Sequence, residues 1–353
     1  MTSSSELGLL RLVAQRIAGP AHPTAARAVR ALTAVQGQDY PGALTSVALR
    51  TVSRRRAEVE AALDAGDVVR SWPLRGTLHL VAADDLRWLL DVLGPRVLKG
   101  AAGRRERLGL TDADAERARA IAVGALEGGR RLRRDGLLAA LADGGVDVSG
   151  QRGYHLLWYL AQTGTLCLGP TEAGQQLFVL LDEWAPASRP RERAEALGEL
   201  ALRYFTGHGP ASVQDLARWA GLPLGDVRAG LAVASPHLAR LDVDGVEYFL
   251  APETADLLAA VRPEARGVFL LPGFDEFVLG YADRGAVLDP AHADRIVPGN
   301  NGMFRPTVVS EGRIVGTWGW TGRGARRAVS AIPFTTLPAS VAAAISDLAA
   351  GLS

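Results

Sequence analysis

Two stretches of this chain run through the same series of signals: helix, turn, helix, strand, tight turn, strand. In the earlier one, residues 135–142 and 150–163 have helical patterning with Gly144-Gly145 between them. A strand at 165–168, a turn at 171–174 and a strand at 176–181 follow. In the later one, Ser212-Val213-Gln214-Asp215 is the capping pattern of a helix that ends at Ala220. Gly221-Leu222-Pro223-Leu224 turns the chain into a second helix over 225–234. Strands at 237–243 and 246–250 then flank Asp244-Gly245, a strong hairpin signal. The two copies lie about 75 residues apart without obvious identity, so the repeat is one of structure.

A third copy is expected near the start. Helices over 6–17, 23–35 and 41–50 precede a strand-like segment at 71–82, and three helices followed by a hairpin is a winged-helix layout. Residues 266–334 are Gly-rich and β-like. Strands are expected at 267–271, 307–310 and 313–320, with Glu311-Gly312 as a turn and a closing helix over 338–352. The expected fold class is therefore α+β. Three tandem winged-helix units (1–100, 101–188, 189–262) precede a small barrel-like β domain (263–353).

Composition narrows the partners. The single cysteine, Cys167, forbids an intramolecular disulfide and points to a reducing compartment. The first five residues lack the basic and apolar stretches of a secretion signal, and apolar runs such as 268–271 are too short for a bilayer. A cytoplasmic, monomeric protein without membrane contact is expected. The net charge is only +1, so nucleic-acid affinity would need local clusters of positive charge. Such clusters exist: Arg54-Arg55-Arg56, Arg104-Arg105 with Arg107, and Arg130-Arg131 with Arg133-Arg134. Arginine forks suit phosphate and guanine. Taken singly, the same residues also suit an ordinary solvated surface. Gln151, Arg152, Tyr154, His155 and Gln162 supply the polar face of the helix over 150–163 that a groove-reading helix would need.

Several chemistries lack their residues. The six histidines show no ligand spacing and one cysteine makes no thiolate site, so no metal or other cofactor is expected. There is no phosphate-loop motif, dinucleotide fingerprint or nucleophile elbow. Lys99 is the sole lysine, which disfavours covalent catalysis through an amine.

The residues best suited to chemistry are Gln36 and Gln38, placed at the end of an apolar helical run. Two neutral amides one residue apart offer four donor hydrogens and two acceptor oxygens, suited to a water or a nucleobase edge. They serve equally well to cap a helix or satisfy a loop. Asp39 adds a carboxylate, and Gly37 permits unusual backbone geometry. Around them stand Arg75, Thr77 and His79, expected on one strand face apart from Leu78 and Leu80. The charged run from Leu271 to Arg284 contributes Asp275, Tyr281 and Asp283. An Asp283–Arg284 pair is the structural alternative there, because charges among apolar residues are usually paired.

These motifs resemble a known family. Gln36-Gly37-Gln38-Asp39-Tyr40, Arg75-Gly76-Thr77-Leu78-His79, Arg203-Tyr204-Phe205 with Gly209-Pro210-Ala211 and Asp215, the 271–284 run, and Gly302-Met303-Phe304 with Gly316-Thr317-Trp318 occur in family order. Together they are similar to the tandem winged-helix proteins of the AlkZ/YcaQ type, over nearly the whole chain. The resemblance implies a concave surface for double-stranded DNA and a monofunctional DNA glycosylase. Its substrates would be N-alkylated purines, including bulky N7-alkylguanine adducts and interstrand crosslinks. It also implies Gln36 and Gln38 as the catalytic pair, with Gly37 where the family usually has a larger apolar residue. The arginines expected to hold the backbone are Arg54, Arg55, Arg56, Arg104, Arg105, Arg131, Arg134 and Arg152. Two readings compete. One is a non-catalytic winged-helix regulator, which would need only one such unit. The other is a protein that sequesters a small molecule between units.

Overall fold

The computed structural model describes residues 4–185, 191–322 and 328–350. Helices Ser4–Ala14, Ala25–Leu32, Tyr40–Leu49 and Arg56–Asp64 open the chain. Among them runs the two-residue strand β1 (Val35–Gln36), and after them come β2 (Val68–Leu74), β3 (Thr77–Ala82) and the long helix Leu86–Arg107. Two expectations change here. The second helix stops at Leu32, because Thr33 takes a left-handed φ of 68° and turns the chain into β1. The glutamine pair therefore leaves the helix before it begins. Four helices rather than three precede the hairpin, since the arginine run at 54–56 leads into a helix of its own.

The second stretch holds helices Asp112–Leu126, Arg134–Asp143 and Arg152–Gln162, then β4 (Leu166–Glu172) and β5 (Gln175–Leu180). The third holds Arg193–His208, Val213–Ala220 and Leu224–Ala234, then β6 (Ala239–Val243), β7 (Val246–Leu250) and helix Thr254–Ala265. The remainder carries β8 (Val268–Leu271), short helix Glu276–Leu279, β9 (Thr307–Ser310), β10 (Arg313–Thr321), β11 (Ala328–Pro333) and helix Ala339–Ala350.

One local device closes four of the hairpins. Arg75-Gly76, Ala173-Gly174, Asp244-Gly245 and Glu311-Gly312 each form a two-residue loop with both φ positive, between 48° and 78°. That geometry matches the right-handed twist of the flanking strands. It places a non-glycine residue in the left-handed region at each first position, Arg75 among them.

The hairpins differ in what surrounds them. The first two fuse into one five-stranded sheet of order β1-β3-β2-β4-β5, joined across Arg70↔Leu168. β6–β7 stays a sheet of two strands. The C-terminal sheet has order β11-β10-β9-β8 and is open, which corrects the barrel expectation. β8 and β11 have one strand neighbour each, and the closing helix buries Ile345 against Leu270, Val308 and Trp318. A helix thus shields the sheet face that closure would otherwise have enclosed. One hydrophobic cluster runs from Ala34 and Val69 through Trp88 to Tyr204, Trp219 and Tyr281, so the core crosses all the expected unit boundaries. No described helix is long and apolar enough to cross a membrane.

Candidate active site and its groove

Gln36 sits in β1 opposite His79, and His79 sits opposite Ser71 on β2. Residues directly opposite in an antiparallel sheet share a face, so Gln36, His79 and Ser71 form a row on one side. Arg70 and Trp72 point to the other side, with Leu78.

The two glutamines are joined. Gln36 Nε2 donates to Gln38 Oε1 at 2.9 Å. The Gly37 N–H lies 2.8 Å from Gln36 Oε1 and 2.7 Å from the Leu78 carbonyl oxygen, donating to both. The first of these contacts fixes which end of the Gln36 amide faces Gln38. Gln36 is buried while Gln38 is exposed, so the inner amide holds the outer one at the surface. Gly37 is close-packed: a Cβ there would lie 3.3 Å from His79 Cα and 3.4 Å from Arg70 Nε. Arg70 Nε donates to the Gly37 carbonyl at 2.8 Å and its Nη1 to Gln176 Oε1 at 2.6 Å. Its guanidinium also lies over the Tyr40 ring, 5.3 Å from the centroid. Burial lowers the Arg70 pKa to about 10, which leaves it charged at neutral pH.

Asp39 stands at the start of helix Tyr40–Leu49 without capping it through its side chain. Its Oδ2 hangs over the first turn, where a Cβ on Gly42 would come within 2.4 Å. His79 is fully buried, and burial with Arg75 nearby lowers its pKa to about 4, so it is neutral. Its Nδ1 lies 2.8 Å from the Thr77 carbonyl, which can only accept. The proton is therefore on Nδ1, and Nε2 is a buried acceptor without a partner among the described residues. The Thr77 hydroxyl is turned to the Leu74 carbonyl at 3.1 Å. Arg75 is in the hairpin turn rather than on the strand face, and donates to the Trp219 carbonyl.

The remaining candidates lie deeper or elsewhere. Asp275 is buried in a two-pronged ion pair with Arg50, with both contacts at 2.9 Å, and Ser46 adds a hydrogen bond at 2.7 Å. Burial favours its acid form, but Arg50 outweighs that and holds the carboxyl below its usual range. Tyr281 is buried under Arg11 and donates to the His208 carbonyl at 2.7 Å. Asp283 accepts from the Gly285 N–H and lines a separate cavity of about 380 Å³. The structural alternative, an Asp283–Arg284 pair, does not form: Arg284 turns to the Val278 carbonyl at 2.8 Å and to the Phe304 ring.

A groove runs along helix Arg152–Gln162 as three cavities that share Trp158. The first, about 630 Å³, has Trp72, Tyr154 and Phe178 in its wall together with Arg70 and Arg134. Arg70 thus touches the glutamine segment on one side and this cavity on the other. The second, about 480 Å³, is lined by Arg75, Arg96 and Arg104, and the third, about 560 Å³, by Arg105. Arg134, Arg104 and Arg105 therefore line one of the three cavities each. Arg54, Arg55, Arg56, Arg131 and Arg152 line none of these three cavities. Arg152 is held by Asp147 at 3.1 Å, and Arg131 lies over the Trp184 ring. His155 and Gln162, expected on an open polar face, are buried. Gln162 donates to the Trp72 carbonyl, and Trp158 Nε1 to the Gly76 carbonyl at 3.2 Å. The helix spends these residues on holding the first hairpin.

Sequence patterning missed two members of the site. Arg70 had a usable signal, its alternation with Ser71 and Trp72. Glu276 had only its place in the charged run 271–284, which did not say what it meets: its Oε1 accepts the Gln36 backbone N–H at 3.1 Å from 240 residues away.

Comparison with known proteins adds an independent line. The family model described as DNA glycosylase AlkZ-like matches residues 29–353. An interstrand DNA cross-link repair glycosylase of Streptomyces sahachiroi is 28% identical over 310 residues, covering 84% of this chain and 82% of that protein. The solved structure of the Streptomyces sahachiroi DNA glycosylase AlkZ matches with a TM-score of 0.80 and 26% identity. It covers 98% of this chain and 94% of that one.

Proposed function

The chain belongs to the AlkZ-like DNA glycosylase family, enzymes that hydrolyse N-glycosidic bonds in DNA, and we propose that Gln36 and Gln38 position the water that releases N7-alkylated guanine. The observation that carries this reading is the bond from buried Gln36 to exposed Gln38. Alkylation at N7 makes the base cationic, so the C1′–N9 bond already breaks readily and the purine leaves as a neutral base. The water oxygen bonds to C1′, and its proton passes to solvent. Gln38 accepts a hydrogen bond from that water, and Gln36 fixes Gln38. Asp39 supplies negative charge beside the developing sugar cation. Positioning of this kind supplies several powers of ten in rate without a strong acid or base.

The rest of the reading follows from the groove. Its arginines take the phosphates of double-stranded DNA, which supply most of the affinity of such surfaces. The three helix–hairpin stretches act as winged-helix units over 1–100, 101–188 and 189–262, with 263–353 as the C-terminal domain of a monomeric clamp. The cross-link repair named for the Streptomyces sahachiroi relative makes a crosslinked duplex the second substrate to assay.

The test is base release from duplex DNA carrying N7-methylguanine, scored as alkali-sensitive breaks. Gln36→Ala/Gln38→Ala is expected to keep DNA affinity and lose at least about a hundredfold in rate. A double variant that releases base like the wild type removes the pair from the mechanism.

A further inference from the structure

Behind the glutamine pair lies a buried carboxylate that the proposed chemistry does not use. Glu276 is 1% exposed. Its Oε1 accepts the Gln36 N–H at 3.1 Å. Its Oε2 accepts the Trp219 indole N–H at 2.9 Å and lies 3.4 Å from His208 Nε2. Burial favours the acid, but the His208 contact and the Trp219 N–H outweigh it and hold the carboxyl below its usual range.

The sheet explains the need. β1 is an edge strand with β3 on one side only. In the register Val35↔Leu80 and Gln36↔His79, with the Gly37 N–H on the Leu78 carbonyl, the Gln36 N–H points away from β3. Such a buried donor must be satisfied from elsewhere. Glu276 meets it with a charge, whereas a neutral acceptor would satisfy one N–H at lower desolvation cost. The charge also binds Trp219 and His208, which belong to a third part of the chain. The line then runs from Glu276 to the Gln36 backbone, and from the Gln36 amide to Gln38.

Resting on the reading of the pair as the water-holding group, we propose that Glu276 is a positioning residue for base release. Gripped by Trp219 and His208, it fixes β1 at Gln36 and so the direction in which Gln36 presents Gln38.

The geometry supplies its own test. In Glu276→Gln the amide oxygen can serve Gln36 only if its NH₂ meets the Trp219 N–H, donor against donor. Trp219→Phe removes that second donor, so Glu276→Gln with Trp219→Phe lets the oxygen return to Gln36. The measurements are single-turnover release from the N7-methylguanine duplex at saturating full-length protein, the DNA Kd, and the thermal melt. Glu276→Gln is expected to slow release about tenfold with Kd unchanged, and the double variant to return to within about threefold of Trp219→Phe alone. The proposal fails if folded Glu276→Gln releases base at the wild-type rate. It also fails if its loss matches an equal weakening of Kd, or if the double variant shows no recovery. Should Glu276→Gln not fold, the double variant decides: a rate near that of Trp219→Phe supports the proposal, and a folded protein as slow as Gln36→Ala/Gln38→Ala overturns it. A wild type that releases no base, or a Gln36→Ala/Gln38→Ala variant that does, sinks the reading beneath instead.

Discussion

The β2–β3 and β6–β7 hairpins close on the same loop, yet they do different jobs. Arg75-Gly76 has φ of 53° and 69°, Asp244-Gly245 has 53° and 78°. The first hairpin is central in a five-stranded sheet and almost wholly buried, with its tip pinned by Trp158 and by Arg75 on Trp219. The second is a sheet of two strands, anchored at its base by buried Phe249, which bridges Ala211, while its tip is open: a Cβ on Gly245 would meet nothing within 4 Å. Local turn chemistry thus decides that a hairpin forms. Its neighbours decide whether its tip is covered, as in a beam that carries a site, or left in solvent above a buried base.

Removing the neighbour tests this most severely. Trp158→Ala takes away the side chain that covers the first tip, and is expected to cost about 3–5 kcal/mol in urea unfolding. Preserved stability would mean that the β2–β3 tip needs no cover, as the β6–β7 tip has none. Acid should also separate the two. His79 is held neutral in the first hairpin with a pKa of about 4, and the second has no histidine. The unfolded chain takes up that proton below about pH 6.5 and the folded chain does not. Stability from this group is complete above pH 6.5 and is lost as pH falls to 4, on the order of 2–3 kcal/mol. Urea midpoints across that range should fall for the wild type and fall less steeply for His79→Asn, the remaining slope coming from His22 and His155, which burial also holds below their usual pKa. The mildest contrast lies in the turns. Gly245→Ala carries only the left-handed backbone cost of about 1–2 kcal/mol. Gly76→Ala adds a Cβ 3.0 Å from Val97 and 3.3 Å from Trp158, so its midpoint should fall further. Equal losses would erase the distinction between the tips.

What could be read from sequence follows the same division. Helices Arg134–Asp143, Arg152–Gln162, Val213–Ala220 and Leu224–Ala234 and their hairpins were legible because glycine turns and the Ser212 cap are local signals. Helix Leu86–Arg107 was not, since Gly94 and Pro95 interrupt it and its end is a run of arginines. β1 has two residues, fewer than any alternation can reveal, so Gln36 and Gln38 were assigned to a helix end. The pair itself was visible as chemistry, because two amides amid apolar residues need a reason. Its support was not. Glu276, His208 and Trp219 meet only after the chain has folded back, and the burial of His155 and Gln162 depends on a hairpin from another stretch.

The span between Gln36 and Glu276 also sets a schedule. They are 240 residues apart, so at usual elongation rates roughly 12–48 s separate their emergence from the ribosome. For that interval β1 lacks the acceptor for its outward N–H. A nascent chain thus carries both glutamines long before it can hold them in order, and a transcript truncated before residue 276 yields a product that never acquires the backbone anchor of the pair.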